Sequence, residues 1–233
     1  MSGSRELVLA RVRRALDVGS GAAPAVSAGP SEPPARESAA APQGAAGAVH
    51  EDLGREPTPQ TLIELLTVRL RAEGVEVLEA GSAEVGGVLD GVLAERGASR
   101  IVVPPGLPPA WRPRSVVVVD DTGLTAAELD RLDGAITGCT LAVAETGTLL
   151  LTAGPVEGRR ALTLVPDLYV CVVETSRLVA DAGAALAAVA PLVRGERRPL
   201  TFVSGPSATS DIELHRVQGV HGPRRMVVVL VSG

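Results

Sequence analysis

The 233-residue chain is rich in aliphatic residues, has one Trp, one Tyr and one Phe, and carries a formal net charge of −5. Nucleic-acid-binding proteins need a basic surface and aromatic stacking faces, so this composition argues against a nucleic-acid partner. All 22 basic residues are arginine. The lack of lysine excludes a Schiff-base mechanism and a Walker-type phosphate loop.

The two cysteines, Cys139 and Cys171, lie in or beside apolar segments and show no CxxC spacing. This pattern predicts neither a disulfide framework nor a zinc site. An iron–sulfur cluster takes about four cysteine ligands, so the chain is expected to carry no cofactor or redox centre of its own. No apolar stretch resembles a signal peptide or is long enough to cross a bilayer, which predicts a cytoplasmic protein without a membrane span.

Three regions follow one another along the chain. Residues 1–16 are predicted to hold an N-terminal helix, because residues 4–16 show a partly apolar helical face. Residues 17–57 consist largely of Ala, Pro, Gly and Ser, and cannot bury enough apolar area to offset their ordering entropy. They are predicted to be a flexible linker. Residues 58–233 are long enough for one core and are predicted to form a single α/β domain.

Helices and short aliphatic strands are predicted in turn within this domain. Helices are expected at residues 58–73, 83–96, 125–132 and 178–192. Strands are expected at residues 75–78, 101–103, 116–119, 141–144, 149–151, 170–173, 200–203 and 227–231. Aliphatic runs without alternation are typical of strands covered on both faces, which predicts a three-layer α/β/α fold with a mostly parallel sheet. The short spacer between 141–144 and 149–151 predicts a hairpin or a bulged continuation.

Glu145 follows the strand at 141–144 and opens a turn that contains a glycine. Ligands of open parallel sheets bind beyond the carboxyl ends of the strands, so this position is a candidate site. A partly desolvated carboxylate there suits nucleophilic or acid–base catalysis. The alternative is that Glu145 only satisfies hydrogen bonds of the turn. The candidate ligand contacts in the same turn are Thr146, Gly147 and Thr148.

A second candidate is the small, hydroxyl-rich segment at residues 204–213, directly after the strand at 200–203. Its backbone N–H groups and hydroxyls are suited to cradling an anion. The alternative is structural, because Ser210 and Glu213 have the spacing of a capping box at the start of a helix. The candidate ligand contacts in this segment are Ser204, Gly205, Ser207, Thr209 and Asp211.

A third candidate is the turn at residues 219–225, just before the last strand. In a turn shaped by glycine and proline, His221, Arg224 and Arg225 are placed to grip a carboxylate or a phosphate. The alternative is that this turn lies at the opposite edge of the sheet and serves packing or subunit contacts. A lone histidine is a poor metal candidate, so no metal site is predicted.

Five segments resemble motifs of the lactate-utilization C family, in matching order and spacing from about residue 101 to residue 230. They are residues 136–138 (Ile-Thr-Gly), 142–151 (Ala-Val-Ala-Glu-Thr-Gly-Thr-Leu-Leu-Leu), 164–173 (Leu-Val-Pro-Asp-Leu-Tyr-Val-Cys-Val-Val), 204–213 (Ser-Gly-Pro-Ser-Ala-Thr-Ser-Asp-Ile-Glu) and 219–225 (Gly-Val-His-Gly-Pro-Arg-Arg). The resemblance implies a domain similar to the coenzyme A transferase and ribose-phosphate isomerase fold group. It also implies work beside two iron–sulfur partners, lactate-utilization subunits A and B, that convert L-lactate to pyruvate.

Three functions stay open at this point. The first is an accessory subunit of this lactate oxidation system. The second is an independent acyl- or coenzyme A-transferring or hydrolysing enzyme, because some coenzyme A transferases use a glutamate in a Glu-x-Gly turn that resembles Glu145–Gly147. The third is a sensor of a small anion, nucleotide or phosphate-type ligand. A homodimer is a further expectation.

Overall fold

The computed structural model of the chain describes residues 57–210, 216–218 and 222–233, with the backbone alone at 208–210 and 216–218. The predicted N-terminal helix and nearly all of the predicted linker lie outside the described residues, and so do Asp211 and His221. The division into residues 1–16, 17–57 and 58–233 therefore stays a prediction.

The described residues form four α-helices and twelve strands, named here in chain order. The helices are α1 (Pro59–Ala72), α2 (Val85–Glu95), α3 (Ala126–Leu129) and α4 (Ala182–Glu196). The strands are β1 (Glu76–Gly81), β2 (Arg100–Val103), β3 (Val117–Asp120), β4 (Gly134–Gly138), β5 (Leu141–Val143), β6 (Thr148–Leu151), β7 (Leu168–Glu174), β8 (Leu178–Val179), β9 (Thr201–Val203), β10 (Ala208–Ser210), β11 (Arg216–Gln218) and β12 (Arg225–Ser232).

The main sheet has six strands in the order β1-β12-β7-β4-β2-β3, and every neighbouring pair is parallel. Each of its strands therefore ends at the same edge, which we call the carboxyl edge, and begins at the opposite, amino edge. The predicted mostly parallel α/β fold is confirmed.

Both faces of the main sheet are covered by apolar packing, as parallel sheets require. On one face, the α2 residues Leu89 and Leu93 belong to the same core cluster as Val170 of β7. On the other face, Leu66 of α1 shares a cluster with Cys171 of β7. Residues of β5 and β6 belong to this second cluster, so the layer on that face combines α1 with a second, smaller sheet.

The sequence did not predict β4, although this strand lies between β7 and β2 in the middle of the main sheet. Its five residues are Gly-Ala-Ile-Thr-Gly, and only Ile136 is a large aliphatic residue. The small residues are needed by the packing. A Cβ at Gly134 would lie 2.9 Å from the carbonyl oxygen of Leu168 on β7. Because the neighbouring strand lies so close, β4 contains small residues in place of the aliphatic run that usually indicates a buried strand.

The second sheet has four strands in the order β8-β5-β6-β9. β5 and β6 pair antiparallel, which confirms the predicted hairpin, but they do not join the main sheet. The predicted helix at 178–192 is wrong at its start, because Leu178 and Val179 pair with β5 as strand β8. The helix α4 begins after Asp181, whose carboxylate accepts a hydrogen bond from the backbone N–H of Ala184.

A third, two-stranded sheet consists of β10 and β11, which pair antiparallel. Ser210 is the last residue of β10 and pairs with Arg216. The predicted start of a helix at Ser210 is therefore wrong, because the backbone there is extended and paired. The other half of the predicted capping box, Glu213, lies outside the described residues.

Candidate ligand-binding site

The turn that begins at Glu145 joins the two strands of the β5–β6 hairpin. The backbone N–H of Glu145 donates to the carbonyl of Ala180, 3.0 Å away, which continues the β5–β8 pairing into the turn. Gly147 has φ +64°, and a Cβ at this position would lie 2.7 Å from the Cβ of Arg69 on α1. Only glycine fits this position, because the turn has positive φ and lies directly against the helix.

Three hydroxyl groups connect this turn to the loop after β9. The Thr146 hydroxyl donates to Thr148 Oγ1 at 2.8 Å, and Thr148 Oγ1 and Ser204 Oγ are 2.9 Å apart. The register of β6 with β9 pairs Leu149 with Val203 and so places Ser204 beside Thr148. The structure thus brings together two of the three segments singled out in the sequence, at one rim of the second sheet.

Glu145 itself is exposed. This differs from the partly desolvated position that the sequence led us to expect. The physical reason is that Glu145 lies in the turn of the hairpin, where the chain leaves the buried strand β5. A catalytic role of Glu145 stays a prediction.

The loop at residues 205–207 connects this rim to the amino edge of the main sheet. A Cβ at Gly205 would lie 2.9 Å from the Cβ of Glu73, so the loop lies close to the end of α1. The N–H of Ser207 donates to the carbonyl of Pro223 at 2.8 Å. These contacts place Ser207 next to the segment that carries Arg224. Thr209 lies in β10, where the backbone alone is described.

A cavity of about 500 Å³ lies at the amino edge of the main sheet. It opens where β1 and β12 begin. Arg224 therefore lies at the edge opposite to the strand ends, which is the placement given as the alternative for the turn at residues 219–225. Its lining includes four arginines and two glutamates, together with small and apolar residues. The lining residues are Arg71, Ala72, Glu73, Gly74, Glu76, Arg96, Pro206, Arg224, Arg225 and Met226.

Ion pairs fix several of the cavity's charged side chains. Arg224 Nε lies 2.7 Å and an Nη atom of Arg225 lies 3.2 Å from the Asp167 carboxylate, so two guanidinium groups share one carboxylate. Arg96 pairs with Glu76 and is only 16% exposed. Arg71 donates to the carbonyl oxygen of Val77 at 3.3 Å.

The carboxyl edge is covered at β4 and β2 by residues 152–159, which we call loop 152–159. The N–H of Gly138 at the end of β4 donates to the carbonyl of Val156 at 2.8 Å. Beyond β2, a Cβ at Gly106 would lie 2.5 Å from the carbonyl oxygen of Pro155. The chain's own loop therefore occupies the region where open parallel sheets commonly bind ligands.

Glu157 holds this loop in place from inside. Glu157 is only 3% exposed. Its carboxylate accepts hydrogen bonds from the N–H groups of Thr152 at 2.9 Å and Gly154 at 2.7 Å. The hydroxyl of Thr140 is a further donor. Ala153, between two of these anchors, has φ +54°, which is unfavourable for a residue with a Cβ. The buried carboxylate stabilises a loop conformation that is strained by itself.

The carboxylates at the end of β3 and directly after it are also part of this structural network. Arg159 Nε lies 2.7 Å from Asp121 Oδ2, and a second nitrogen of Arg159 lies 2.8 Å from Asp121 Oδ1. The bidentate bond with Arg159 lowers the pKa of Asp121, although burial opposes it. Asp120 pairs with Arg112. Both carboxylates stabilise the fold at this edge.

The two thiols lie in the core and face each other. Cys139 is 5% exposed, Cys171 is fully buried, and both are free. The hydrogen bond with Cys171, together with burial, raises the pKa of the Cys139 thiol well above its usual range. Among the described residues, no three His, Cys, Asp or Glu side chains are grouped to hold a metal ion. In the same part of the chain, no helix has the length and apolar character to cross a membrane.

Sequence reasoning missed two of the cavity's four arginines, namely Arg71 and Arg96. Arg71 lies in the last turn of α1 and Arg96 directly follows α2. Cations are common there, since they interact favourably with the helix dipole, so their spacing indicates no site. Arg224 and Arg225 were both singled out in the sequence as candidates for binding an anion. The parallel order β1-β12 brings these residues together, and a single sequence does not reveal that order.

The fold and cavity define a parallel-sheet α/β protein with an arginine-lined site at its amino edge. The family model described as the LUD domain matches residues 63–231. Lactate utilization protein C of Deinococcus radiodurans is 44% identical over 180 residues, which are 76% of this chain and 84% of that protein. Its counterpart of the same name in Halalkalibacterium halodurans is 35% identical over 106 residues, which are 44% of this chain and 46% of that protein.

A solved structure is also similar to this chain. The crystal structure of a DUF162 family protein from Deinococcus radiodurans matches with a TM-score of 0.66 and 35% identity, covering 76% of this chain and 99% of that chain. The chain belongs to the LUD domain family. The resemblance to the lactate-utilization C family is confirmed.

Proposed function

We propose that the chain acts in lactate utilization, as an accessory subunit of a bacterial iron–sulfur system that oxidises L-lactate to pyruvate. The observation that carries this proposal is the 44% identity, over 84% of its length, with a protein named lactate utilization protein C. The partners in the proposal are the iron–sulfur lactate-utilization subunits A and B. Like the reaction, they come from the family resemblance.

The chemistry of the cysteines supports an accessory role. A cubane iron–sulfur cluster takes about four thiolate ligands, and this chain has two cysteines. Both thiols are buried, and the raised pKa of Cys139 keeps that thiol protonated near neutral pH. The proposal therefore assigns the redox centres to subunits A and B, and assigns binding or positioning to this chain.

Reconstitution tests the proposal. Purified subunits A and B are assayed for lactate-dependent reduction of an artificial electron acceptor, with and without this chain. We expect the rate to rise when the chain is added in equimolar amount. Full activity of the two subunits in its absence would contradict the proposal. As a control, the Cys139→Ala/Cys171→Ala double variant is expected to leave the iron content of the complex unchanged, because neither thiol ligates a cluster.

A second candidate is acyl or coenzyme A transfer through Glu145. It is favoured by the exposure of this carboxylate and by the rigid Gly147 turn beside it. The protein is incubated with a panel of acyl-coenzyme A thioesters and analysed by mass spectrometry for an adduct on Glu145. The Glu145→Gln variant is the matched control. No adduct with any thioester would remove this candidate.

A further inference from the structure

We propose that the cavity at the amino edge of the main sheet binds a small organic anion with two or more oxyanion charges. This is the shared chemistry of a phosphate ester and of a di- or tricarboxylate. The proposal does not depend on the lactate oxidation proposal, since it concerns a ligand site of the isolated chain.

Arginines from three separate segments meet at this cavity. Arg71 comes from the last turn of α1, Arg96 follows α2, and Arg224 and Arg225 lie where β12 begins. Planar guanidinium groups bind carboxylate and phosphate oxygens in bidentate fashion, and they stay charged at every physiological pH. Convergence from distant parts of the chain is typical of a built site and unlike a solvated face of one helix.

The charges around the cavity leave a positive surplus. Four arginines and two glutamates line it. Arg96 is neutralised by Glu76, and Arg224 and Arg225 share the carboxylate of Asp167. With Glu73 counted as well, four positive and three negative charges leave a surplus of one positive charge. A surplus at one place is notable in a chain whose formal net charge is −5, and it favours an anion there.

Arg71 differs from the other three arginines of the cavity in the group that orients its side chain. Its guanidinium bonds to the carbonyl oxygen of Val77, and within the described residues no carboxylate lies within ion-pair distance of it. The carbonyl of Val77 orients the side chain without neutralising it. An incoming oxyanion therefore gains a charge-assisted hydrogen bond from Arg71 and displaces no internal partner.

The size of the cavity indicates the class of ligand. A volume of about 500 Å³ lies within the range of small-molecule pockets, roughly 300–1,000 Å³. A three-carbon monocarboxylate such as lactate fills a small part of it and carries one charge. A phosphorylated metabolite or a tricarboxylate fills more of the space and has enough oxygen atoms to contact several of the four guanidinium groups.

Isothermal titration calorimetry on the full chain tests the proposal, with pyrophosphate, citrate and L-lactate as probes at constant ionic strength. We expect pyrophosphate, citrate or both to bind, at least about tenfold more tightly than lactate. Loss of one charged hydrogen bond in Arg71→Gln should weaken that binding about tenfold or more. Arg194→Gln is the matched control, because Arg194 is exposed on α4 and does not line the cavity.

Each outcome is decisive. Binding of pyrophosphate alone identifies a phosphate site, and binding of citrate alone identifies a carboxylate site. The proposal is overturned if neither multivalent anion binds, if lactate binds equally well, or if Arg71→Gln and Arg194→Gln have equal effects. None of these results bears on lactate oxidation by the reconstituted subunits, so the two proposals fail separately.

Discussion

The two edges of the main sheet differ in what covers them: a loop of the chain lies over part of the carboxyl edge, whereas the amino edge has a cavity. At the carboxyl edge, loop 152–159 lies over the ends of β4 and β2 and is held by the buried Glu157. At the amino edge, charged side chains surround an open cavity. In a parallel sheet the carboxyl edge is the usual ligand site. At β4 and β2 this position is occupied by the protein's own loop, and the ligand site that we propose lies at the opposite edge.

Removing the Glu157 carboxylate is expected to have the largest effect on stability, because this group holds loop 152–159 over the carboxyl edge. Glu157→Ala leaves the N–H groups of Thr152 and Gly154 and the hydroxyl of Thr140 without their acceptor. We expect the free energy of unfolding to fall by about 3 kcal/mol or more, measured by urea denaturation. Glu145→Ala is the control and should change it by less than about 0.5 kcal/mol, since Glu145 is exposed. Equal effects of the two substitutions would show that Glu157 does not hold the loop.

A methyl group at Gly106 tests how tightly the same loop lies on the sheet. Its Cβ would be 2.5 Å from the carbonyl oxygen of Pro155, so the loop or β2 must move. Gly106→Ala is expected to destabilise the protein by about 2 kcal/mol in thermal or urea unfolding. Gly87→Ala is the matched control, because Gly87 lies in α2 with no atom within 4 Å of the added Cβ. That substitution should be neutral or stabilising, since alanine is the better helix former. A neutral result at Gly106 would show that the edge is loosely covered.

The hydroxyl chain between the hairpin turn and Ser204 predicts a smaller effect. Thr148→Val keeps the shape of the side chain but removes the oxygen that bonds to both Thr146 and Ser204. We expect a loss of about 1 kcal/mol in the free energy of unfolding. Thr201→Val serves as a control, because Thr201 is a buried threonine of the adjoining strand β9 that has no side-chain hydrogen bond to either hydroxyl. A larger loss in the control would argue that the hydroxyl chain contributes nothing of its own.

The pair of Arg159 and Asp121 predicts a small, pH-dependent contribution at the carboxyl edge. The pKa of Asp121 is lowered by its hydrogen bonds with Arg159, so the pair stabilises the fold above the unfolded-state pKa, about 3.9. This contribution is lost as the pH falls through the lower folded-state pKa. Because Arg159 is partly exposed, we expect Arg159→Gln to cost about 0.5–1 kcal/mol at pH 7. The difference between wild type and variant should shrink below pH 4 in denaturation curves. A difference independent of pH would contradict this assignment.

The sequence predicted those parts of the fold that depend on local signals. The helix predicted at 58–73 is present as α1, and Gly74, with φ +80°, follows its end. Thr58 caps it by accepting a hydrogen bond from the N–H of Thr61. The β5–β6 hairpin was likewise predicted from the length of its turn. These features are set by residues within a few positions of one another.

The features that were missed depend on contacts between distant segments. β4 was missed because close packing against β7 selects glycine and alanine in place of large aliphatic residues. The separate second sheet was missed because pairing partners are not encoded by the hydrophobicity of one strand. The same reason hid the cavity, where Arg71 and Arg96 lie beside Arg224 and Arg225. The sequence indicated Arg224 and Arg225, and it indicated Ser204 and the hairpin turn as separate candidates; their hydrogen bond became visible only in the structure.

Hydrogen–deuterium exchange with and without pyrophosphate tests the contrast between the two edges most directly. We predict that the anion slows amide exchange at residues 69–77 and 222–227, which surround the cavity, and leaves loop 152–159 unchanged. Anion-induced protection confined to loop 152–159 and the residues after β2 would contradict the account, because it would place the ligand at the edge that the chain closes.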